Sequence, residues 1–290
     1  MILVTGASGQ LGQLVIEQLL TLASTKQISA EQIIAGVRDP AKAEHFKQRG
    51  IQVRKVDYEQ PETLVSAFAG VERLLLISSS AVGQRVAQHQ KVIDAAAASG
   101  VKLLAYTSLL HADTSPLALA EEHRATEALL LASGLNTLIL RNGWYTENYT
   151  GGLAAALAHG KLLGCAGDGR IAFATRADYA AAAASAITAD LQPGNRVYEL
   201  AGDTAYTLTD LAAEVSRQTG QTISYLNLSE ADYCDALVQV GLPQPFAALL
   251  ADSDTGASKG GLYDASHQLS QLIGRPTTSL ETSVAEALKG

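Results

Sequence analysis

The chain begins MILVTGASGQLG, and no other stretch constrains the fold as strongly. Ile2 to Thr5 form a short apolar run, the pattern of a strand buried on both faces. Gly6, Gly9 and Gly12 follow at equal spacing, and an amphipathic stretch begins directly behind them. A strand that turns into a helix over glycines brings the unpaired N–H groups of the helix end to the strand's carboxyl edge. Each glycine has its own expected reason. Gly6 lets the chain turn sharply, Gly9 leaves backbone open to a close ligand, and Gly12 lets the helix pack close to the sheet. The ligand such a turn suits is an anion held by backbone N–H groups at a positive helix end. The pyrophosphate of a dinucleotide is the expected one.

The first two-thirds of the chain repeat this unit. Apolar runs predict strands over 2–5, 33–37, 52–55, 73–78, 102–107 and 136–141. Amphipathic stretches predict helices over 11–22, 40–49, 61–68, 84–98 and 119–132. Asp39 and Pro40 read as an N-cap and a first-turn proline, and Gly50, Gly100 and Gly134 as helix stops. Strands alternating with helices imply an α/β fold with a doubly wound parallel sheet, a Rossmann fold. After Trp144 the rhythm changes, with helices expected over 153–158, 178–188, 211–219, 230–240 and 280–288 and a strand over 197–200. The division this suggests is a dinucleotide-binding domain over 1–142 and a smaller C-terminal α/β lobe over 143–290 for the substrate. Segments near 176–202 are expected to return to the first domain.

Composition narrows the function. With 47 % hydrophobic and 17 % charged residues, a chain of 290 residues can bury a large core. A net charge of −8 argues against a nucleic-acid or anionic-membrane surface. Cys165 and Cys234 stand in unrelated contexts, so no metal site is expected. No apolar run approaches the ~20 residues of a membrane span, and no basic stretch precedes the first strand. The chain therefore reads as cytoplasmic, with no membrane insertion. Its oligomeric state is not legible, and a homo-oligomer stays open.

The strand ends carry the site. After the second strand Arg38 and Asp39 stand side by side. A carboxylate there would bind the ribose 2′-hydroxyl of NADH, and an arginine the 2′-phosphate of NADPH. Asp39 already has a task as N-cap, whereas Arg38 has no local role, so NADPH is the expected cofactor. Ser78, Ser79 and Ser80 at the fourth strand's end suit the cofactor's ribose and nicotinamide side, or a solvated loop that caps the next helix. The sixth strand runs into Asn142-Gly143-Trp144-Tyr145-Thr146-Glu147-Asn148-Tyr149, dense in aromatics for a chain with 5 % aromatic residues. Trp144 and Tyr149 suit a wall for a planar ring, or pins that hold the second lobe.

GASGQLG, Arg38, LLLISSS, AYTSLLHADTSPL, LRNGWYTENY, AGDG, ATRADYAAAAA and SKGG…LIGRPTTSL together resemble the NmrA-like atypical short-chain dehydrogenases, over nearly the whole chain. Within them the chain is most similar to bacterial members that reduce quinones with NADPH. The resemblance implies NADPH contacts at Gly6, Ala7, Ser8, Gly9, Gln10 and Leu11, at Arg38, at Ser78 to Ser80, and at Asn142 to Glu147. It also implies a quinone site between the lobes. Other members resemble reductases of triphenylmethane dyes or non-catalytic NADP-binding redox sensors.

One absence bears on mechanism. Typical short-chain dehydrogenases carry Tyr-x-x-x-Lys as the acid at the substrate oxygen, and no tyrosine here has a lysine four positions on. His123 to Glu127 stand where that pair is expected. Such acid help is commonly worth ~10²–10⁴ in rate. Reduction of a quinone gives a phenolate, whose conjugate acid is near the tyrosine value of about 10, so water can protonate it. The missing acid therefore agrees with direct hydride transfer to a quinone, and no residue is assigned as catalytic. His111, His123 and Tyr145 are the candidate proton donors should one be needed.

Overall fold

The computed structural model describes residues 1–25 and 28–289. The strands are β1 Ile2–Val4, β2 Ile33–Val37, β3 Gln52–Lys55, β4 Arg73–Leu76, β5 Leu103–Leu109, β6 Asn136–Asn142, β7 Lys161–Gly164, β8 Arg196–Leu200 and β9 Ser224–Asn227. One sheet has the order β3-β2-β1-β4-β5-β6-β8, and the pairs β3–β2, β2–β1, β1–β4 and β4–β5 are parallel. This is the doubly wound order expected from the sequence, with its reversal between β1 and β4. Helices cross between the strands, among them Gln10–Ser24, Pro61–Ala67, Arg85–Ala98, Ala120–Ala132 and Arg176–Thr188.

Burial follows position in the sheet. Every residue of β1, β2 and β5 is buried, as a strand covered on both faces requires. β3 and β8 are partly exposed because they are the edges. Helix Gln10–Ser24 buries Leu11, Gly12, Val15, Ile16 and Leu19, a single stripe at helical spacing. The helix expected over 40–49 is instead a 3₁₀ turn, Pro40–Ala43, followed by one α turn, Glu44–Lys47. The break falls at Ala43, whose φ of −118° and ψ of 17° are not helical.

The chain forms two compact units. Unit 1 comprises Met1–Ser108, Glu122–Arg141 and Arg176–Tyr198. Unit 2 comprises Leu109–Glu121, Asn142–Thr175 and Glu199–Gly290. The segment Leu109–Glu121, read from sequence as part of the first domain, thus falls in unit 2. Unit 1 has its own core around Leu3, Ile34, Phe68, Leu74, Val92, Leu104, Tyr106 and Ile139. Unit 2 has another around Trp144, Tyr149, Phe173, Leu208, Leu211 and Val284. Unit 2 also holds a small parallel sheet, β7 paired with β9, and the helix Gln244–Ser258, none of them expected from the sequence. No helix among the described residues is long and apolar enough to cross a membrane.

Candidate cofactor site

The turn after β1 is built by backbone contacts. Gly6 has φ +59°, a left-handed conformation that glycine adopts without strain. Ala7 N–H donates to the Gly36 carbonyl at 3.1 Å, and Gly9 N–H to the Gly6 carbonyl at 2.9 Å. A Cβ on Gly12 would lie 2.2 Å from Gly6 O and 2.7 Å from Ala7 Cα. The helix therefore packs on the turn itself, which corrects the expectation that Gly12 serves helix-to-sheet contact. The helix N-cap, Gly9, offers no side chain, and the first turn has no acidic residue, so the positive helix end faces outward uncapped.

That end opens on a cavity of ≈ 430 Å³ in unit 1, on the sheet edge where β1 and β4 diverge. Gly6, Ser8, Gly9, Gln10, Leu11 and Gly12 line one side, Ile77 to Ser80 another, and Arg38 stands at the end of β2. Arg38 makes no hydrogen bond or ion pair among the described residues. Asp39 behaves as an N-cap, its carboxylate accepting from Ala41 N–H at 3.1 Å. Val56, Asp57, Tyr58, Glu59 and Gln88 complete the lining and were not anticipated. The rule applied to other strand ends would have found the loop after β3. Of the residues expected here, Ala7 is fully buried and does not line the cavity.

The stretch Asn142 to Glu147 belongs to unit 2 and does not line this cavity. Asn142, Trp144 and Thr146 are buried, and Gly143 N–H donates to the Leu200 carbonyl at 2.7 Å. Trp144 and Tyr149, each 6 % exposed, sit in the core of unit 2.

A buried polar network lies in unit 1 around His123 and Glu127. The Tyr106 hydroxyl is 2.7 Å from His123 Nδ1. Burial, with the Arg85 charge adding to it, lowers the His123 pKa to about 3. Four residues on, Glu127 accepts from Arg141 Nε at 3.0 Å, Arg141 Nη2 at 2.7 Å and Ser108 Oγ at 2.5 Å. His123 is thus neutral and enclosed, not a proton donor at neutral pH. His111 lies in unit 2 at φ +49°, with Glu199 at 3.6 Å and Asp264 at 3.3 Å from its ring nitrogens. Among the described residues no cluster of histidine, cysteine or carboxylate groups could hold a metal ion.

These residues fit a dinucleotide. Gly12 admits no side chain and Gly6 takes a left-handed φ, the helix end lacks an anion, and Gln88 Oε1 on the cavity wall is buried with no partner among the described residues. Comparison with known proteins agrees. A family model described as NAD(P)H-binding matches residues 6–190. Quinone oxidoreductase 2 of Escherichia coli K12 is 59 % identical over 285 residues, 98 % of each chain. The crystal structure of the E. coli NADPH-dependent quinone oxidoreductase with NADPH superposes with a TM-score of 0.94, covering 99 % of this chain and 100 % of that one. Triphenylmethane reductase of Citrobacter sp., solved with NADP(H), is 37 % identical with a TM-score of 0.92, covering 99 % and 100 %. An NmrA-like family domain-containing oxidoreductase of Aspergillus flavus is 30 % identical over 99 % of this chain and 94 % of its own. The chain belongs to the NAD(P)H-binding family, among its NmrA-like members.

Proposed function

We propose that the protein is an NADPH-dependent quinone reductase that works by direct hydride transfer, without a side-chain acid. The observation that carries this reading is the buried network at His123 and Glu127. The positions that would hold a general acid and its lysine are committed to Tyr106, Arg141 and Ser108. An acceptor whose reduced form is a weakly basic phenolate fits such a site, and an ordinary ketone does not. The 59 % identity to Quinone oxidoreductase 2 supports the same acceptor class.

Bound NADPH supplies the hydride. The chain supplies the rest. The uncapped helix end and the backbone of Gly6 to Leu11 hold the pyrophosphate, and Arg38 pairs with the 2′-phosphate. Ser78, Ser79 and Ser80 form the rim toward the ribose. Asn142 to Glu147 are assigned as further contacts on the strength of the family resemblance, to be tested by separate substitutions. The quinol oxygen takes its proton from water, since the enclosed, neutral His123 offers none.

The experiment is steady-state NADPH oxidation with 1,4-benzoquinone and a naphthoquinone, against a blank without enzyme and with NADH in parallel. Saturable turnover that prefers NADPH is expected. Arg38→Ala should raise KM for NADPH by roughly 10- to 100-fold, the worth of a charge-assisted bond, and leave KM for NADH nearly unchanged. Equal weakening of both cofactors would remove the 2′-phosphate role. A cationic triphenylmethane dye is the competing acceptor, because its central carbon likewise needs no proton donor. Faster turnover on the dye than on either quinone would reverse the assignment.

A further inference from the structure

β4 ends at Leu76, and the next three backbone N–H groups leave the ladder. Each finds a side-chain acceptor on a different element. Ile77 N–H donates to Thr5 Oγ1 at 3.0 Å, Ser78 N–H to Thr107 Oγ1 at 2.9 Å, and Ser79 N–H to His89 Nε2 at 3.0 Å. The Ser79 carbonyl accepts from Arg85 Nε at 2.5 Å, so the Ser79 peptide is held from both ends. Two of the three acceptors are hydroxyls, which always have a lone pair to offer. The third is an imidazole nitrogen, which has one in only one of two tautomers.

The structure settles which tautomer. His89 Nδ1 lies 3.0 Å from Thr126 Oγ1, and that hydroxyl donates to the Glu122 carbonyl at 2.9 Å. The only hydroxyl proton of Thr126 is therefore committed. His89 must carry its own proton on Nδ1 and donate it to Thr126, which leaves the Nε2 lone pair for Ser79. His89 is fully buried, so its ring is held by the protein alone.

We infer that His89 is a positioning residue: a neutral imidazole, locked as the Nδ1–H tautomer by Thr126, that fixes the Ser78–Ser80 rim of the dinucleotide cavity. The inference rests on the reading that this rim carries NADPH.

The test compares His89→Leu, His89→Gln and Thr126→Val in the full chain. KM and kcat are measured with NADPH and a quinone, and Kd for NADPH by fluorescence. Loss of the acceptor in His89→Leu should raise Kd and KM for NADPH roughly tenfold, with kcat at saturation and KM for the quinone within about twofold. His89→Gln offers an amide oxygen and should restore most of the affinity. Thr126→Val keeps the ring but releases the tautomer, and should weaken NADPH about threefold. Wild-type affinity in His89→Leu, or no rescue by glutamine, overturns the assignment. Should His89→Leu fail to fold, unchanged NADPH affinity in Thr126→Val overturns it instead. A nitrogen-15 spectrum of the cofactor-free protein tests the tautomer independently. A His89 signal with Nδ1 protonated from pH 5 to 8 supports it, and a titrating or Nε2-protonated ring sinks it. If the wild type showed this signal yet bound no NADPH, the functional reading would fail and the hydrogen-bond assignment would stand.

Discussion

Unit 1 buries two imidazoles, and unit 2 buries a carboxylate with no cation among its hydrogen-bond partners. His89 and His123, 0 % and 5 % exposed, have their pKa lowered to about 3 by burial and the nearby Arg85 charge. Asp254 in unit 2, 2 % exposed, has its pKa raised, chiefly by burial. It accepts from the Tyr149 hydroxyl at 2.8 Å and from Cys165 N–H at 3.0 Å, both neutral donors. Both units thus favour the uncharged form, but with opposite dependence on pH. A histidine with a depressed pKa binds fewer protons folded than unfolded, so its stability is lost as pH falls below about 6.5. An aspartate with a raised pKa binds more protons folded, so its stability is lost as pH rises above about 4. Unit 1 buries carboxylates too, Asp178 and Glu127, and Glu127 has a cation beside it, the Arg141 guanidinium. What separates Glu127 from Asp254 is therefore the partner, not the depth.

The largest effect should come from breaking that partnership. Arg141→Met leaves Glu127 buried among neutral groups and should cost about 3–5 kcal/mol in urea unfolding at pH 7. The double variant with Glu127→Met should recover most of it, because two apolar side chains of similar volume need no desolvated charge. A single variant that costs under about 1 kcal/mol would mean that the pair is solvated and the contrast with Asp254 empty.

Next in size is the acid limb of unit 1. Between pH 7 and 5 ordinary carboxylates stay ionised, while each buried imidazole should cost roughly 2 kcal/mol, from about 1.5 pH units at ~1.4 kcal/mol each. His123→Gln should remove about half of the loss. An unchanged acid slope in that variant would mean that His123 is already protonated or exposed.

The same contrast explains what could be read from the sequence. In unit 1 the signals are large side chains at regular spacing: Ile2 to Val4, Ile33 to Val37, and the Leu11, Val15, Leu19 stripe of the first helix. The glycine turn and Arg38 were legible for the same reason, since each sits at a strand end that the pattern locates. The lining at Val56 to Glu59 is not legible because β3 is a polar edge strand, Gln52-Val53-Arg54-Lys55, with no apolar run to mark its end. In unit 2 the helix Gln244–Ser258 starts between two prolines and buries Ala247, Ala251, Ser253, Asp254, Gly256 and Ala257. Small and polar residues on its inner face leave no apolar stripe to detect. Tight fit takes its place: a Cβ on Gly256 would lie 2.5 Å from Leu117 Cδ1, a contact no local pattern reports. His89 and Asp254 were illegible for a related reason. Nothing local separates a buried titratable residue from a surface one when its partners lie 10 to 105 residues away.

The smallest effect is the most diagnostic of the comparison. Asp254→Asn keeps an oxygen for Cys165 N–H, and its amide nitrogen can donate to Tyr149 once that hydroxyl reverses. Near pH 4, close to the ordinary aspartate value, the charge cost of the wild type is smallest, and the variant should be less stable by about 1 kcal/mol, the worth of one rearranged hydrogen bond. As pH rises the wild type must hold a charge that Tyr149 and Cys165 do not neutralise, whereas asparagine holds none. The difference should therefore shrink toward pH 8 and can change sign. Thermal unfolding of the two proteins in parallel from pH 4 to 8 reads this directly. A difference that stays constant across that range would show that Asp254 binds no more protons folded than unfolded, and the opposition between the two units would then reduce to the histidines alone.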